Sequence, residues 1–179
     1  MDGSYFIKRY RKVTHEGNHF DPKVVAKELF TWCLKHLDDK DRGRRELYRI
    51  FFYDCPPISK KAHNPVSKEA IDFPKTPEAQ FRVRLHSHLR KQRKVALRLG
   101  RLADHARWAI KPKITKELLA GKTGVVDLKP NDVFYEVRQK GVDMRIGLDI
   151  ASLAFKRQVD QIVLVAGDSD FVRGKACPA

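Results

Sequence analysis

Residues 140–171 read KGVDMRIGLDIASLAFKRQVDQIVLVAGDSDF, from Lys140 to Phe171. Val142 to Lys156 reads as a helix, and Gln161 to Ala166, an unbroken apolar run, reads as a fully buried strand. Gly167 lets the backbone turn closely at the strand's end. In a parallel α/β sheet, ligands bind at the carboxyl ends of the strands. Asp168 and Asp170 lie just past the buried run and are therefore expected at that edge. Asp143 is expected to cap the helix, and Asp149 follows two turns into it.

Carboxylates gathered in one spot repel. Two charges ~4 Å apart cost about 4 kcal/mol at an effective dielectric of about 20. Such a cluster survives when protons or cations neutralise it, and hard oxygen donors suit Mg²⁺ or Mn²⁺, which also bind substrate phosphate. A divalent ion so held can activate water for in-line displacement at phosphorus. Each acid has a plainer reading. Asp143 could serve only as a helix cap, Asp149 only as a partner of Arg145, and Asp168 and Asp170 only as turn acids. Asp160 precedes its strand and reads as structural. The spacing of the four together favours the metal-binding reading.

Working outward, the chain alternates helices and strands. Asp21-Pro22 is a helix start, an acid at the cap followed by proline, and the helix runs over 24–37. Glu46 to Tyr53 reads as a strand, ended by Asp54-Cys55-Pro56-Pro57. Residues 58–76 read as a long polar loop, within a loop region spanning about 54–76. Pro77 opens a helix to about Arg93. Val95, Leu97 and Leu99 alternate as in a strand, residues 104–131 are irregular with a short helix near 115–120, and Val133 to Gln139 reads as another strand. The pattern predicts one domain over 1–179, a layered α/β fold with a mainly parallel sheet.

The charge distribution adds a second signal. The chain has 179 residues, 37 Lys plus Arg and 22 Asp plus Glu, a net charge of +15. Such an excess attracts phosphate backbones. Ala79 to Ala103 contains no acid but holds Arg82, Arg84, Arg90, Lys91, Arg93, Lys94, Arg98 and Arg101. These are the candidate nucleic-acid-binding residues, with Arg90, Lys91, Arg93 and Lys94 foremost because they cluster near a predicted helix end. A basic helix can also be merely a solvated face. No apolar run approaches the roughly 20 residues of a membrane span, and the first residues hold no signal-peptide core. Three cysteines without a CxxC fit a reducing cytoplasm better than a disulfide framework.

Two motifs are set aside. His15-Glu16-Gly17-Asn18-His19 matches H-E-x-x-H, but its Gly-Asn centre is a poor helix former and zinc binding needs a helix. Gly121-Lys122-Thr123 resembles the end of a phosphate-binding loop, but Lys116 occupies the position of the required first glycine. No NTP site is expected.

The run over 140–171 resembles the signature of NYN domains, of the PIN-like ribonuclease superfamily. The resemblance is weaker over Met1 to Lys12 and over 46–57. It implies a PIN-like or Rossmann-like three-layer fold and a metal-dependent endoribonuclease acting on single-stranded or structured RNA. Asp2-Gly3-Ser4-Tyr5-Phe6 looks like the end of the family's first strand, which carries the first metal-site aspartate onto Asp2. The others fall on Asp149, Asp168 and Asp170, and Asp143 matches a recurrent acid before the helix. Almost nothing precedes Asp2 and eight residues follow Phe171, so a domain incomplete at both ends, active in a longer form, is expected.

The resulting expectation is that Asp2, Asp149, Asp168 and Asp170, with Asp143, hold one or two Mg²⁺ or Mn²⁺ ions while the basic stretch holds RNA. Tyr5 and Phe6 are expected in the core rather than stacked on a base. The alternatives are a non-catalytic nucleic-acid-binding module of the same fold, and a DNA nuclease or phosphatase using the same carboxylates.

Overall fold

The computed structural model describes residues 1–14, 21–39, 43–103 and 105–172; the His15–His19 motif lies outside them. In chain order the elements are α1 (Gly3–Val13), α2 (Pro22–Leu34), β1 (Asp38–Asp39), β2 (Gly43–Arg44), β3 (Ile50–Asp54), β4 (Lys61–His63) and β5 (Ala70–Asp72). They continue as α3 (Pro77–Lys91), β6 (Val95–Leu99), β7 (Arg101–Leu102), β8 (Arg107–Ile110), α4 (Pro112–Leu119), β9 (Val133–Glu136), β10 (Gln139–Lys140) and α5 (Val142–Phe155).

The centre is a βαβ unit. β3 and β6 pair in parallel, from Ile50 opposite Val95 to Asp54 opposite Leu99, with α3 as the connection. Thr76 starts α3 by accepting the Ala79 amide proton, and Pro77 fits the first turn because its missing N–H has no helical partner there. Alternation along β3 sends its side chains to two faces. Ile50 and Phe52 pack against Phe6, Ile7 and Tyr10 of α1, Val25 and Leu29 of α2, and Phe81, Leu85 and Leu89 of α3. Tyr53, with Phe51 beside it, packs on the other side against Val142 and Ile146 of α5. The result is the expected mixed α/β sandwich, helices on both faces of a parallel pair. Among the described strands the other four pairings are antiparallel. No helix of the described residues is long and apolar enough to cross a membrane.

Met1 and Asp2 add a short rung beside β3. The Tyr53 amide donates to the Met1 carbonyl at 3.0 Å, and the Asp2 amide donates to the Val165 carbonyl at 2.8 Å. This brings the carboxyl end of the 161–165 segment next to the carboxyl end of β3.

Several sequence expectations need correction. Gln161–Ala166 is not a buried strand: Ile162, Val163 and Leu164 are 38%, 47% and 36% exposed. A strand needs a backbone partner on at least one side, and among the described residues the backbone pairing on this segment is the bond to Val165. Between it and residues 45–51 lies a cavity of about 1010 Å³ lined by Phe6, Tyr10, Trp32 and Phe51. Residues 58–76 are not a plain loop; β4 and β5 pair antiparallel, Lys61 opposite Asp72 and His63 opposite Ala70. Asp2 makes a parallel bridge to Tyr53, and α1 follows directly from Gly3. Within 104–131 the expected short helix is α4, while β8, paired with β9, replaces part of the irregular reading.

Candidate functional site

The carboxyl edge of β3 and the end of the 161–165 segment collect four aspartates from three parts of the chain. Asp2 caps α1, accepting the Tyr5 amide proton on Oδ1 at 3.1 Å. Asp143 lies in the first turn of α5. It does not cap the helix as expected, because Gly141 holds that position with φ +79°, a left-handed conformation that suits glycine. Asp168 accepts the Asp170 amide proton at 2.9 Å, which ties those two acids into one turn. Gly167 precedes them, and a Cβ there would run into the Tyr5 ring. Tyr5 therefore packs against the backbone at the edge, half-buried and outside the core expected for it, whereas Phe6 lies in the core.

The electrostatics join these groups. Loss of solvent pushes the Asp143 carboxyl above its usual range, and the charges of Asp2, Asp168 and Asp170 push it further. The four acids are thus close enough to repel, which is the condition in which a cation is favoured. Among the described residues no three His, Cys, Asp or Glu side chains converge closely enough to hold a metal ion. The donor chemistry is all carboxylate oxygen, the type that suits a hard divalent ion keeping several of its waters.

Asp149 is placed differently. Its two oxygens receive Arg98, Nη2 on Oδ1 at 2.9 Å and Nε on Oδ2 at 3.0 Å. The Tyr53 hydroxyl also donates to Oδ2 at 2.8 Å. Burial, then this bond, raises the Tyr53 phenol far above its ordinary value. The structure therefore brings Asp2, Asp143, Asp168 and Asp170 together and commits Asp149 to a link between α5, β3 and β6.

A second charged group, not found from the sequence, sits under this edge. Asp54, the last residue of β3, is 0% exposed and binds Arg82 and His86 of α3. The Nε2 of His86 lies 2.8 Å from Asp54 Oδ2, and Arg82 also bonds Glu78 at 3.2 Å. Burial alone would raise the Asp54 carboxyl; the His86 hydrogen bond and the Arg82 guanidinium overcome it and hold it below the usual carboxylate range. The neighbouring Cys55 thiol is pushed up to about 11 by burial and by Asp54, so it packs as a neutral group at neutral pH. Ser4 adjoins Asp54 Oδ1 at 3.5 Å, and Gln139 Nε2 donates to the Ser4 hydroxyl at 3.0 Å. The available signal was an acid ending an apolar run before Pro-Pro, with Arg82 and His86 one helical turn apart.

The basic stretch does not act as one strip. Arg82 is engaged by Asp54 and Glu78, and Arg98 by Asp149. Helix α3 runs back along the sheet, as a βαβ connection must. Its first turns meet Asp54, while Lys94, just beyond its end, accepts the Ile50 amide proton on its carbonyl at 2.8 Å. Arg90, Lys91 and Arg93 therefore lie toward the amino edge of β3, away from the aspartates, and Lys94 Nζ pairs with Glu46. Arg84 and Arg101 are exposed. Arg101, at the carboxyl edge, stands opposite Lys140, which sequence reasoning did not single out.

The family described as NYN domain matches residues 71–174, more than half of the chain. The match includes α3, β6, Asp143, Asp149, Asp168 and Asp170, and begins after Asp2 and Asp54. Comparison with curated proteins and with solved structures gives no match.

Proposed function

The chain belongs to the NYN domain family, with its PIN-like fold of nuclease type, and on that premise we propose that it is a metal-dependent endoribonuclease. The observation that carries the proposal is the gathering of Asp2, Asp168 and Asp170 near Asp143 at the carboxyl edge, close enough for their charges to act on its carboxyl. Their carboxylates would hold one or two Mg²⁺ or Mn²⁺ ions. A bound divalent ion supplies Lewis acidity toward a phosphodiester and lowers the pKa of a coordinated water. Asp2, capping α1, and Asp168, tied to the Asp170 amide, orient their carboxylates through backbone bonds. Asp149 acts as a positioning residue in this reading: with Arg98 and Tyr53 it holds α5, and so Asp143, against the sheet. The substrate class follows from the net positive charge and from the family, and RNA is the reading we adopt. Free Cys33 and Cys55 support a reducing, cytoplasmic setting.

The test is cleavage of an end-labelled single-stranded RNA by the full chain with Mn²⁺, Mg²⁺ or EDTA, beside Asp168→Asn. Metal-dependent cutting lost in the variant is expected. A folded wild type that binds RNA without cutting it would make the chain a binding module. Preferential hydrolysis of competing DNA or a small phosphoester would reassign the substrate.

A further inference from the structure

Arg101 of β7 and Lys140 of β10 stand directly opposite each other in an antiparallel ladder. Like charges at such a position oppose the pairing. Both side chains are exposed, and no carboxylate among the described residues pairs with either. The ladder itself is anchored at the carboxyl edge. The Gly100 amide donates to the Asp54 carbonyl at 2.8 Å, and Gln139 bonds Ser4, two residues from Asp2. Lys140 is three residues from Asp143, so their Cα atoms are at most about 11 Å apart.

The two chain segments continue outward as an arm, through the β8–β9 pairing of Arg107 with Glu136 and Trp108 with Tyr135. Alternation gives the arm two faces. Leu102 packs with Tyr53 and Val142, and Tyr135 packs with Phe73 and Trp108. Arg101 and Lys140 alternate with Leu102 and Gln139, and Arg107, opposite Glu136, alternates with Trp108 and Tyr135. Arg138 and Arg107 are 74% and 72% exposed, with Glu136 between them at 3.9 Å and 3.0 Å. Cations therefore recur along these two segments, from Arg101 and Lys140 near the carboxyl edge to Arg138 and Arg107.

The geometry points to Arg101 and Lys140 as a clamp for a backbone phosphate flanking the scissile one, with the arm as the track of a single-stranded RNA. This deepens the nuclease reading and rests on it. It also separates two sets of cations that composition alone treats as equal. The Arg90–Arg93 group lies at the other edge of the sheet; from Arg82 to Lys91 the helix axis rises about 13 Å. A phosphate would place an anion between two cations that no carboxylate of the described residues joins.

The experiment measures binding of a fluorescein-labelled single-stranded RNA 12-mer to the full chain in EDTA, across a salt series. Wild type is compared with Arg101→Gln/Lys140→Gln and with Arg90→Gln/Lys91→Gln. The first pair is expected to weaken binding about tenfold and to lower the log–log salt slope by about 0.7, one single-strand phosphate contact. The second pair is expected to change binding less than twofold. An equal or larger loss in the α3 pair, or no loss in the arm pair, overturns the clamp. The charge-retaining Arg101→Lys/Lys140→Arg variant should bind nearly as wild type; its failure would mean that the arm pair acts through folding. Because binding is read without metal, loss of cleavage with binding intact overturns the nuclease reading and not the clamp. A folded wild type that binds no RNA overturns both.

Discussion

Asp54 Oδ2 lies 2.8 Å from His86 Nε2, with both side chains buried and Arg82 on the other carboxylate oxygen. Burying a carboxylate is costly unless charged and hydrogen-bonding partners replace its water. Removing the charge leaves Arg82, only 17% exposed, without its main counter-ion. Asp54→Asn is expected to destabilise the fold by about 3 kcal/mol, the scale for breaking one side of a buried pair. Urea denaturation would read it. A loss below about 1 kcal/mol, the range of an exposed ion pair, would show that the network is dispensable.

The same carboxyl gives the acid limb of stability. Its folded pKa is held below the unfolded value. Such a group contributes stability that is present above the unfolded pKa and is lost as pH falls through the folded pKa. The midpoint of urea unfolding should therefore fall as pH drops below the ordinary carboxylate range. Asp54→Asn should flatten that limb. An equally steep limb in the variant would assign acid unfolding to other carboxylates.

Much of this frame is legible from local sequence. Pro77 punctuates α3, Val95, Leu97 and Leu99 alternate in β6, and Gly167-Asp168-Ser169-Asp170 places two acids past an apolar run. What escapes local reading is set by distant partners. Asp54 meets Arg82 and His86 across 28 and 32 positions, and Arg98 meets Asp149 across 51. The short β4 and β5, Lys-Ala-His and Ala-Ile-Asp, carry no alternation long enough to register. Composition groups Arg90–Lys94 with the rest of the basic stretch because charge counts carry no direction, whereas a helix joining two parallel strands turns its last residues toward the amino edge. The 161–166 run was read as buried because it is apolar, yet burial depends on what stands beside it.

Metal addition should stabilise the fold if the four aspartates receive it. With no cation, Asp143 ionises against three neighbouring charges. Mn²⁺ at millimolar concentration is expected to raise Tm by several degrees, since a ligand that binds only the folded state adds stability by mass action, about 2.7 kcal/mol at 100 times Kd. Asp143→Asn should melt higher than wild type in EDTA, because repulsion is relieved, and should gain less from Mn²⁺. Equal gains in both proteins would place the ion elsewhere.

Asp149 offers the sharpest separation between its two readings. As a metal ligand, its loss would shift the Mn²⁺ concentration needed for half-maximal cleavage. As the partner of Arg98 and Tyr53, its loss would leave that midpoint in place while lowering stability, because the guanidinium and phenol lose their acceptor. Side-chain exposures of 44% for Arg98 and 20% for Asp149 place the pair at a half-buried surface, where solvent screening limits its worth to about 1 kcal/mol. Asp149→Asn keeps an acceptor oxygen for Tyr53 but not the charge for Arg98, so about 1 kcal/mol of destabilisation is expected with the Mn²⁺ midpoint unchanged. Tyr53→Phe should destabilise to a similar degree, and the double variant should fall short of the sum of the two, because both act on one carboxylate. A tenfold rise in the Mn²⁺ midpoint for Asp149→Asn, without such coupling to Tyr53, would return this residue to the metal site.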